Sequence, residues 1–422
     1  MSIIEETPSG LGVGRRPRLP RTAFCFHDPQ PSGASRWLCD FLLSDGFVAD
    51  RAIAVLPAPS PMEAPLRDAG IEVRVLAGRM GALTDNRGWQ DRAAVALNRA
   101  CMVADYVSLF RGEAVQLVYA NSSVQIAPMI AARVARLPLV VHVHEAWNTG
   151  CASALKRLAV RRLANAALFA AQSGLDMFGG QPIGRSWMVS PNGVAPELLE
   201  LSAHRRMLRQ RFEFAGKDRV VLFLGTLCER KGVHDLAACW PDIRRRFPAA
   251  RLVVAGNLDA QERNRAILDF AQAPPEGAEY LGYRDDAREL LCAADLFVLP
   301  SYGEAMPLSI SEAMMIGTPV VARAVGDVEW QIGDGCGFPF RGKGPRPLTE
   351  ALATALSNPT EAASRAIRAR NFAKKYLLRD VQNRQVRRMI RRTAGKMGKT
   401  EKAGTTGKTG TAGTTESGRP PK

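Results

Sequence analysis

From Thr22 onward the chain alternates short, apolar, β-rich runs with longer amphipathic stretches. The runs TAFCF (22–26), RAIAVL (51–56), IEVRVL (71–76), VQLVYA (115–120) and LPLVVHVHE (137–145) are separated by segments such as SRWLCDFLLSDG and DRAAVALNRACMVADYVSLF. Short continuous apolar runs predict strands buried on both faces, and helical spacing between them predicts crossover helices. Strand–helix alternation of this kind builds a parallel sheet covered by helices. A second series begins at RVVLFLG (219–225) and continues through ARLVVAG (250–256), AEYLG (278–282), LFVLP (296–300) and TPVVAR (318–323). The pattern predicts an α/β protein of two doubly wound, Rossmann-like domains facing a cleft. Their join is expected in the polar, Arg-rich stretch between Pro191 and Lys217.

The expected boundaries are a flexible N-terminal arm over 1–21, a first domain over 22–196 and a second over 197–370. A helix over 371–392 follows, and 393–422 forms a basic tail. That tail is nearly all Gly, Thr, Lys, Ala and Ser, too poor in apolar groups to offset its ordering entropy, and is read as disordered. With 46% hydrophobic and 23% charged residues among 422, the composition excludes a wholly disordered or fibrous protein. No apolar run approaches the roughly 18 residues of a membrane span. The N-terminus lacks the apolar segment of a secretory signal, so a cytoplasmic location is expected. The eight cysteines have no C-x-x-C spacing and read as reduced, mostly buried residues.

Charge changes the picture only once it is located. The net charge is +16, yet Arg365 to Lys422 alone carries 17 Lys/Arg against 3 Asp/Glu. The first 364 residues then hold 40 bases and 38 acids. A nearly neutral body with one basic segment argues against a dedicated nucleic-acid binder, because a charged tail alone confers non-specific affinity.

The segment richest in chemistry is PSYGEAMPLSISEAMMIGTPVVARAVGDVEW, 300–330. A strand runs into a loop at Gly303, and a helix starts near Pro307, where a missing N–H costs least. Ligands of open α/β sheets bind at the carboxyl ends of strands, and helix N-termini favour phosphate. The turn Gly303–Met306 is therefore a candidate diphosphate cradle. Glu304 and Glu312 are carboxylates suited to the vicinal hydroxyls of a ribose or hexose. His142 and His144 alternate along LVVHVHE and share one strand face.

This stretch resembles the retaining family 4 glycosyltransferases of the GT-B fold. The resemblance rests on Glu304, seven residues, Glu312-Ala313-Met314, Gly317-Thr318-Pro319-Val320-Val321 and Gly326-Asp327-Val328-Glu329. It implies that Glu312 holds the nucleotide ribose, Glu304 the donor-sugar hydroxyls, and the amides of Ala305 and Met306 sugar or phosphate. Glu229-Arg230-Lys231-Gly232 follows the first strand of the second domain, where the family places cations on the donor diphosphate. Thr226 stands after Gly225 where the family often has a basic residue, leaving the phosphate grip to Arg230 and Lys231.

In the first domain, Ser32-Gly33-Ala34-Ser35-Arg36 resembles the family's acceptor-side loop, and His144 takes the position of a histidine facing the donor sugar. His142 is read as a core residue. Pro191-Asn192-Gly193-Val194 resembles the family's hinge turn. By this resemblance the first domain binds acceptor, the second binds a UDP- or GDP-sugar, and the C-terminal helix crosses back. The reaction needs no metal or other cofactor, in keeping with a chain that shows no Asp-x-Asp site.

Two basic helical faces bear on the acceptor. LKRLAVRRLANAALFA (155–170) sets Lys156, Arg157, Arg161 and Arg162 beside leucines. The C-terminal helix aligns Arg384, Arg387, Arg388, Arg391 and Arg392 in a stripe, with Leu378, Val381, Val386, Met389 and Ile390 as its apolar positions. Such faces suit an anionic membrane surface, and imply a saccharide or lipid-linked acceptor at the cytoplasmic leaflet. The rival readings are a nucleotide-sugar 2-epimerase or sugar phosphorylase of the same fold, and a catalytically silent binding subunit.

Overall fold

The computed structural model describes residues 19–44, 51–76, 89–145, 151–180 and 186–403. Two parallel sheets organise them. The first has seven strands, β1 (Thr22–Cys25), β2 (Ala52–Leu56), β3 (Glu72–Val75), β4 (Leu117–Ala120), β5 (Leu139–Val143), β6 (Ala166–Phe169) and β7 (Ser186–Val189), in the order β3-β2-β1-β4-β5-β6-β7. The second has six, β8 (Arg219–Leu224), β9 (Ala250–Ala255), β10 (Ala278–Tyr280), β11 (Leu296–Leu299), β12 (Val320–Arg323) and β13 (Phe338–Phe340), in the order β10-β9-β8-β11-β12-β13. All pairings are parallel; Thr22 lies opposite Ala52 on one side and Leu117 on the other. In each sheet the chain winds outward and then returns beside its first strand. This places a topological switch between β1 and β4 and another between β8 and β11, the crevices where such sheets bind ligands.

Alternation along the strands sorts the first domain into two cores. Phe24 packs with Trp37, Phe41 and Leu38 on one face, whereas Ala23 and Cys25 pack with Tyr106, Phe110, Met129 and Val160 on the other. The second domain is built around one large cluster that includes Phe223, Trp240, Phe297 and Met314. Burial pushes the thiols of Cys39 and Cys239 up to about 12. Cys25, Cys39, Cys101, Cys228, Cys239, Cys292 and Cys336 are unpaired.

The chain passes between the domains twice, at the same place. Val194 N–H donates to Leu377 O (2.8 Å) and Arg379 N–H donates to Val194 O (2.9 Å). A Cβ at Gly193 would lie 2.6 Å from Arg379 Cα, so the Pro191–Val194 turn needs glycine there. The helix Pro359–Tyr376 belongs to the second domain; Ala362, Ala369 and Ala373 join its core. The helix Arg379–Ala403 then crosses to the first domain, inserting Val386, Met389 and Ile390 into its core.

Several boundaries differ from those read in the sequence. The crossover helix occupies 379–403 rather than 371–392, because the chain breaks at the Leu377–Leu378 crossing. Helix also continues through residues expected to start the disordered tail. Thr393 is buried and Ala394 packs on the first-domain core, so the apolar contacts outlast the expected end. The remainder of the tail, 404–422, lies outside the described residues, as do residues 1–18 of the N-terminal arm. Leu19 and Arg21 of that arm are anchored: Leu19 is buried, and Arg21 pairs with Glu72 (2.6 Å) and Glu113 (3.1 Å). The basic stretch read as one helix over 155–170 is a helix Cys151–Leu163 followed by β6. Asn165 makes the break by accepting the Leu139 N–H (3.0 Å), which starts the next sheet pairing.

Candidate active site

The donor-side crevice is formed where β8 and β11 end. After β8 the chain makes a short turn, Glu229–Lys231, closed by Gly232 at φ 72°. A Cβ at Gly232 would collide with the Pro300 carbonyl, so only glycine lets this turn press against the loop after β11. That contact brings the charges together. Lys231 Nζ donates to Glu304 Oε1 (2.6 Å), and Arg230 Nη1 lies 3.6 Å from the same oxygen while donating to Gly303 O (2.9 Å). Burial alone pushes the Glu304 carboxyl up, but the charges of Lys231 and Arg230, with hydrogen bonds from Lys231 and Ser301, outweigh it and hold it below the usual range. Gly225 ends β8 beside the aliphatic chain of Lys231.

The turn itself leaves backbone donors without partners. Among the described residues, the backbone N–H groups of Gly303, Glu304, Ala305 and Met306 make no hydrogen bond. The helix Leu308–Ile316 begins directly after them with Pro307 as its N-cap. Such free amides at a helix start form an anion seat. Glu312 lies on this helix, buried, and its Oε1 accepts from Arg288 Nε (2.8 Å) and from Arg36 Nη2 of the first domain (3.3 Å).

A buried network holds this loop from behind. Tyr302 Oη donates to Asp235 Oδ2 (2.6 Å), and Arg323 Nη2 pairs with the same oxygen (2.7 Å). The Arg323 guanidinium stacks over Tyr302 at 4.2 Å from the ring centroid. Asp327, in the Gly326–Glu329 motif, reaches across the cleft instead: its carboxylate accepts the Gln172 and Ser173 N–H groups (2.8 and 2.9 Å). Glu329 pairs with Arg341 on the surface.

The facing crevice of the first domain is lined by loops after β1, β4, β5 and β7. His142 and His144 do share a face, their ring centroids 3.9 Å apart. His142 is fully buried, with Nδ1 hydrogen-bonded to Tyr119 Oη (2.7 Å). His144 Nε2 bonds to Asn121 Oδ1 (2.9 Å), and Asn192 Nδ2 lies 3.4 Å from its Nδ1. Both nitrogens of the residue expected to touch the donor sugar are thus engaged by asparagines, which fix its neutral tautomer. Asn121 Nδ2 also donates to Ala34 O (2.9 Å), tying the acceptor-side loop to this cluster. Gly33 is exposed, with open space where a Cβ would stand. Glu145 accepts from Ser122 Oγ and from Ser123 Oγ (2.6 Å).

Burial holds His142 down to about 3 and keeps His144 well below the ordinary imidazole range. The unfolded chain binds a proton on each near pH 6.5 while the fold refuses it, so stability is lost as pH falls from about 6.5 toward 3. For His142 the loss at pH 5 is about 2 kcal/mol. Urea denaturation at pH 7 and pH 5 should show a smaller acid loss in His142→Asn than in the parent by that amount. Parallel losses would exclude His142 as the source.

Residues 218–358 match the family model described as glycosyl transferases group 1. The match lies wholly within the second domain. Glycogen synthase of Mycobacterium tuberculosis is 32% identical over 190 residues, covering 42% of this chain and 44% of that one. Alpha-galactosylglucosyldiacylglycerol synthase of Streptococcus pneumoniae is 28% identical over 193 residues, covering 44% and 50%. The chain thus spans half or less of these relatives' length. The structure of HepE of Anabaena, solved with UDP and glucose, superposes with a TM-score of 0.71 at 22% identity over 88% of this chain and 99% of that one. The two facing Rossmann-like domains have the GT-B fold of such structures.

The matched segment contains every second-domain residue singled out in the sequence, and the fold gathers Arg230, Lys231, Gly303, Glu304, Ala305 and Met306 into one cluster. Glu312 lies apart from it, beside two arginines. Asp235, Arg288, Tyr302 and Arg323 went unnoticed in the sequence, as did Asn121 and the role of Asn192. Their partners are distant along the chain, and no spacing announces them. Asp327 was visible inside the Gly326–Glu329 motif, but its contact with Gln172 had no sequence signal.

Proposed function

We propose that the protein is a retaining glycosyltransferase that moves a hexose from a UDP- or GDP-sugar to a saccharide or lipid-linked acceptor. The observation that carries this reading is the Lys231–Glu304–Arg230 cluster placed against free loop amides at the β8/β11 switch. The UDP and glucose in the HepE structure and the glycolipid named in the pneumococcal relative support it. In this reading Lys231, Arg230 and the Gly303–Met306 amides stabilise charge growing on the leaving diphosphate. The bond from the anomeric carbon to phosphate breaks while the acceptor oxygen bonds to the same face, and the acceptor proton passes to a phosphate oxygen. Protein groups supply position and charge, with no carboxylate nucleophile or metal.

Glu304 takes the donor-sugar hydroxyls once Lys231 turns to phosphate, and Glu312 takes the ribose. His144 contributes its ring to the sugar pocket in the tautomer set by Asn121 and Asn192, and Gly33 and Ala34 border the acceptor.

The acceptor reading includes an anionic membrane at the cytoplasmic face. No described helix is long and apolar enough to cross a bilayer. The C-terminal stripe contributes charge alone, because Val386, Met389 and Ile390 are buried in the first domain; Arg384 and Arg388 are exposed, while Arg387 and Arg391 are half-buried. The helix Cys151–Leu163 is different. Leu155 and Leu158 are 68% and 49% exposed beside Lys156, Arg157, Arg161 and Arg162, and the adjoining helix Ile126–Val134 exposes Ile130, Arg133 and Val134. From Asn121 to Leu175 there are six Lys/Arg and a single acid, Glu145. This face supports the membrane reading.

The test is release of nucleoside diphosphate from a panel of UDP- and GDP-hexoses, with glycolipid or saccharide acceptors and with or without anionic vesicles. Turnover of one donor class, a product keeping the donor's anomeric configuration, and co-sedimentation lost in Leu155→Glu/Arg157→Glu are expected. An inverted product would contradict retention; vesicle binding unchanged in that variant would contradict the surface; and product without an acceptor-derived glycoside would favour an epimerase or phosphorylase.

A further inference from the structure

Asp327 serves a helix other than its own. It is the N-cap residue of the helix Val328–Ile332, where an aspartate ordinarily accepts amides of the turn that follows, yet its side chain makes no such bond. Both carboxylate oxygens turn instead to the helix Gln172–Asp176 of the first domain. Oδ2 accepts the Gln172 N–H (2.8 Å) and Oδ1 the Ser173 N–H (2.9 Å). That helix has Ala171 at its own N-cap, a residue with no side-chain acceptor. Its first amides are thus capped from the other domain. Asp327 is buried, and Ala171 beside the contact packs into the apolar cluster of the second domain.

The backbone on either side of this contact leads to the two halves of the cleft. Asp327 N–H donates to Ala305 O (2.8 Å), and a Cβ at Gly326 (φ 55°) would collide with Glu304 O. Residues 326 and 327 therefore lie directly against the Gly303–Met306 turn. On the first-domain side, a Cβ at Gly174 would meet Glu145 O at 3.6 Å, and Glu145 follows His144. One carboxylate ties the loop that carries Glu304 to the segment that carries His144.

We propose that Asp327 is a positioning residue for sugar transfer. By capping the helix Gln172–Asp176 it fixes the first domain, and with it the acceptor, against the donor turn. The inference rests on the transferase reading of the cleft. An acceptor oxygen held by one domain meets an anomeric carbon held by the other only while the domains keep their spacing, and a misplacement of about 1 Å costs up to about 10²-fold. A cleft held less closely also admits water. The water oxygen then bonds to the anomeric carbon as the bond to phosphate breaks, and its proton passes to a phosphate oxygen. Free hexose and nucleoside diphosphate form in place of a glycoside.

The substitution Asp327→Ala separates this role from donor binding. The bond from Asp327 N–H to Ala305 O belongs to the backbone, and the helix Val328–Ile332 loses no side-chain cap. The full-length parent, Asp327→Ala and Asp327→Asn are compared, with circular dichroism to verify folding. UDP and GDP affinities are measured by calorimetry, and transfer and hydrolysis of the nucleotide hexose that the parent turns over are measured with its acceptor. Hydrogen exchange by mass spectrometry follows the peptide containing Gln172 and Ser173. Asp327→Ala should lower transfer by about 10–10²-fold, raise the share of donor lost to hydrolysis, and leave nucleotide affinity within about threefold. The peptide should lose exchange protection. Asp327→Asn keeps one acceptor oxygen and should recover part of the transfer rate. Nucleotide affinity lost in step with transfer would overturn the proposal and assign Asp327 to the donor turn. Unchanged transfer, an unchanged share of hydrolysis or unchanged exchange would also overturn it while leaving the transferase reading intact. A parent that turns over no nucleotide sugar would overturn that reading, and this inference with it.

Discussion

Lys231→Ala should lower kcat by about 10²–10³-fold, the scale seen when one preorganised donor to a developing charge is removed. Lys231 and Glu304 are both largely buried and 2.6 Å apart, so the substitution has two separable consequences. The leaving diphosphate loses its nearest fixed cation. Glu304 is left with Arg230, which is 57% exposed and 3.6 Å away, and its carboxyl shifts upward. The second consequence costs stability, on the order of 1.5–3 kcal/mol for a charged hydrogen bond. Adding Glu304→Gln to Lys231→Ala removes the unpaired carboxylate, so the double variant should regain stability without regaining turnover. Steady-state kinetics and urea denaturation on the parent and both variants separate the effects. A kcat for Lys231→Ala within a few-fold of the parent would remove the lysine from the reaction.

Glu312→Ala should act on binding rather than on turnover. A carboxylate accepting two ribose hydroxyls makes two charge-assisted hydrogen bonds, each about 1.5–3 kcal/mol, so a loss of at least about 10²-fold in nucleotide affinity is expected. The fold should tolerate the change, because Arg288 retains Asp40 as a partner. Glu304→Ala is the contrast: in the proposed reading it takes the donor-sugar hydroxyls, and it should lower kcat with a smaller change in nucleotide affinity. Equal affinity losses in both variants would count against the division of ribose and sugar between them.

The two sheets were legible because buried parallel strands leave contiguous apolar runs, and nearly every such run became a strand. β6 was hidden because AALF continues the apolar spacing of the basic helix before it, and only Asn165, by bonding Leu139, separates the two. β7 is only half-buried along three of its four residues and β13 carries an exposed proline at its centre, so neither leaves a clean apolar run. On the donor side, the Glu304–Glu329 segment was readable since one strand–loop–helix unit carries it. What surrounds that unit was not. Arg288 and Asp40 meet because two domains close on each other, and Asp235 reaches Arg323 through sheet topology; neither contact has a local pattern. His144 shows the same limit within one strand. Its place facing the cleft follows from alternation, whereas its engagement by Asn121 and Asn192 depends on loops after β4 and β7.

The central claim is that the cleft binds a nucleoside diphosphate through Glu312 and the cluster around Glu304. Calorimetric titration of the full chain with UDP and with GDP, repeated on Glu312→Ala, tests it most directly. The account predicts saturable binding of one of the two nucleotides at a single site, and its loss in the variant. A folded parent that binds neither nucleotide, or a variant that binds as the parent does, would contradict it.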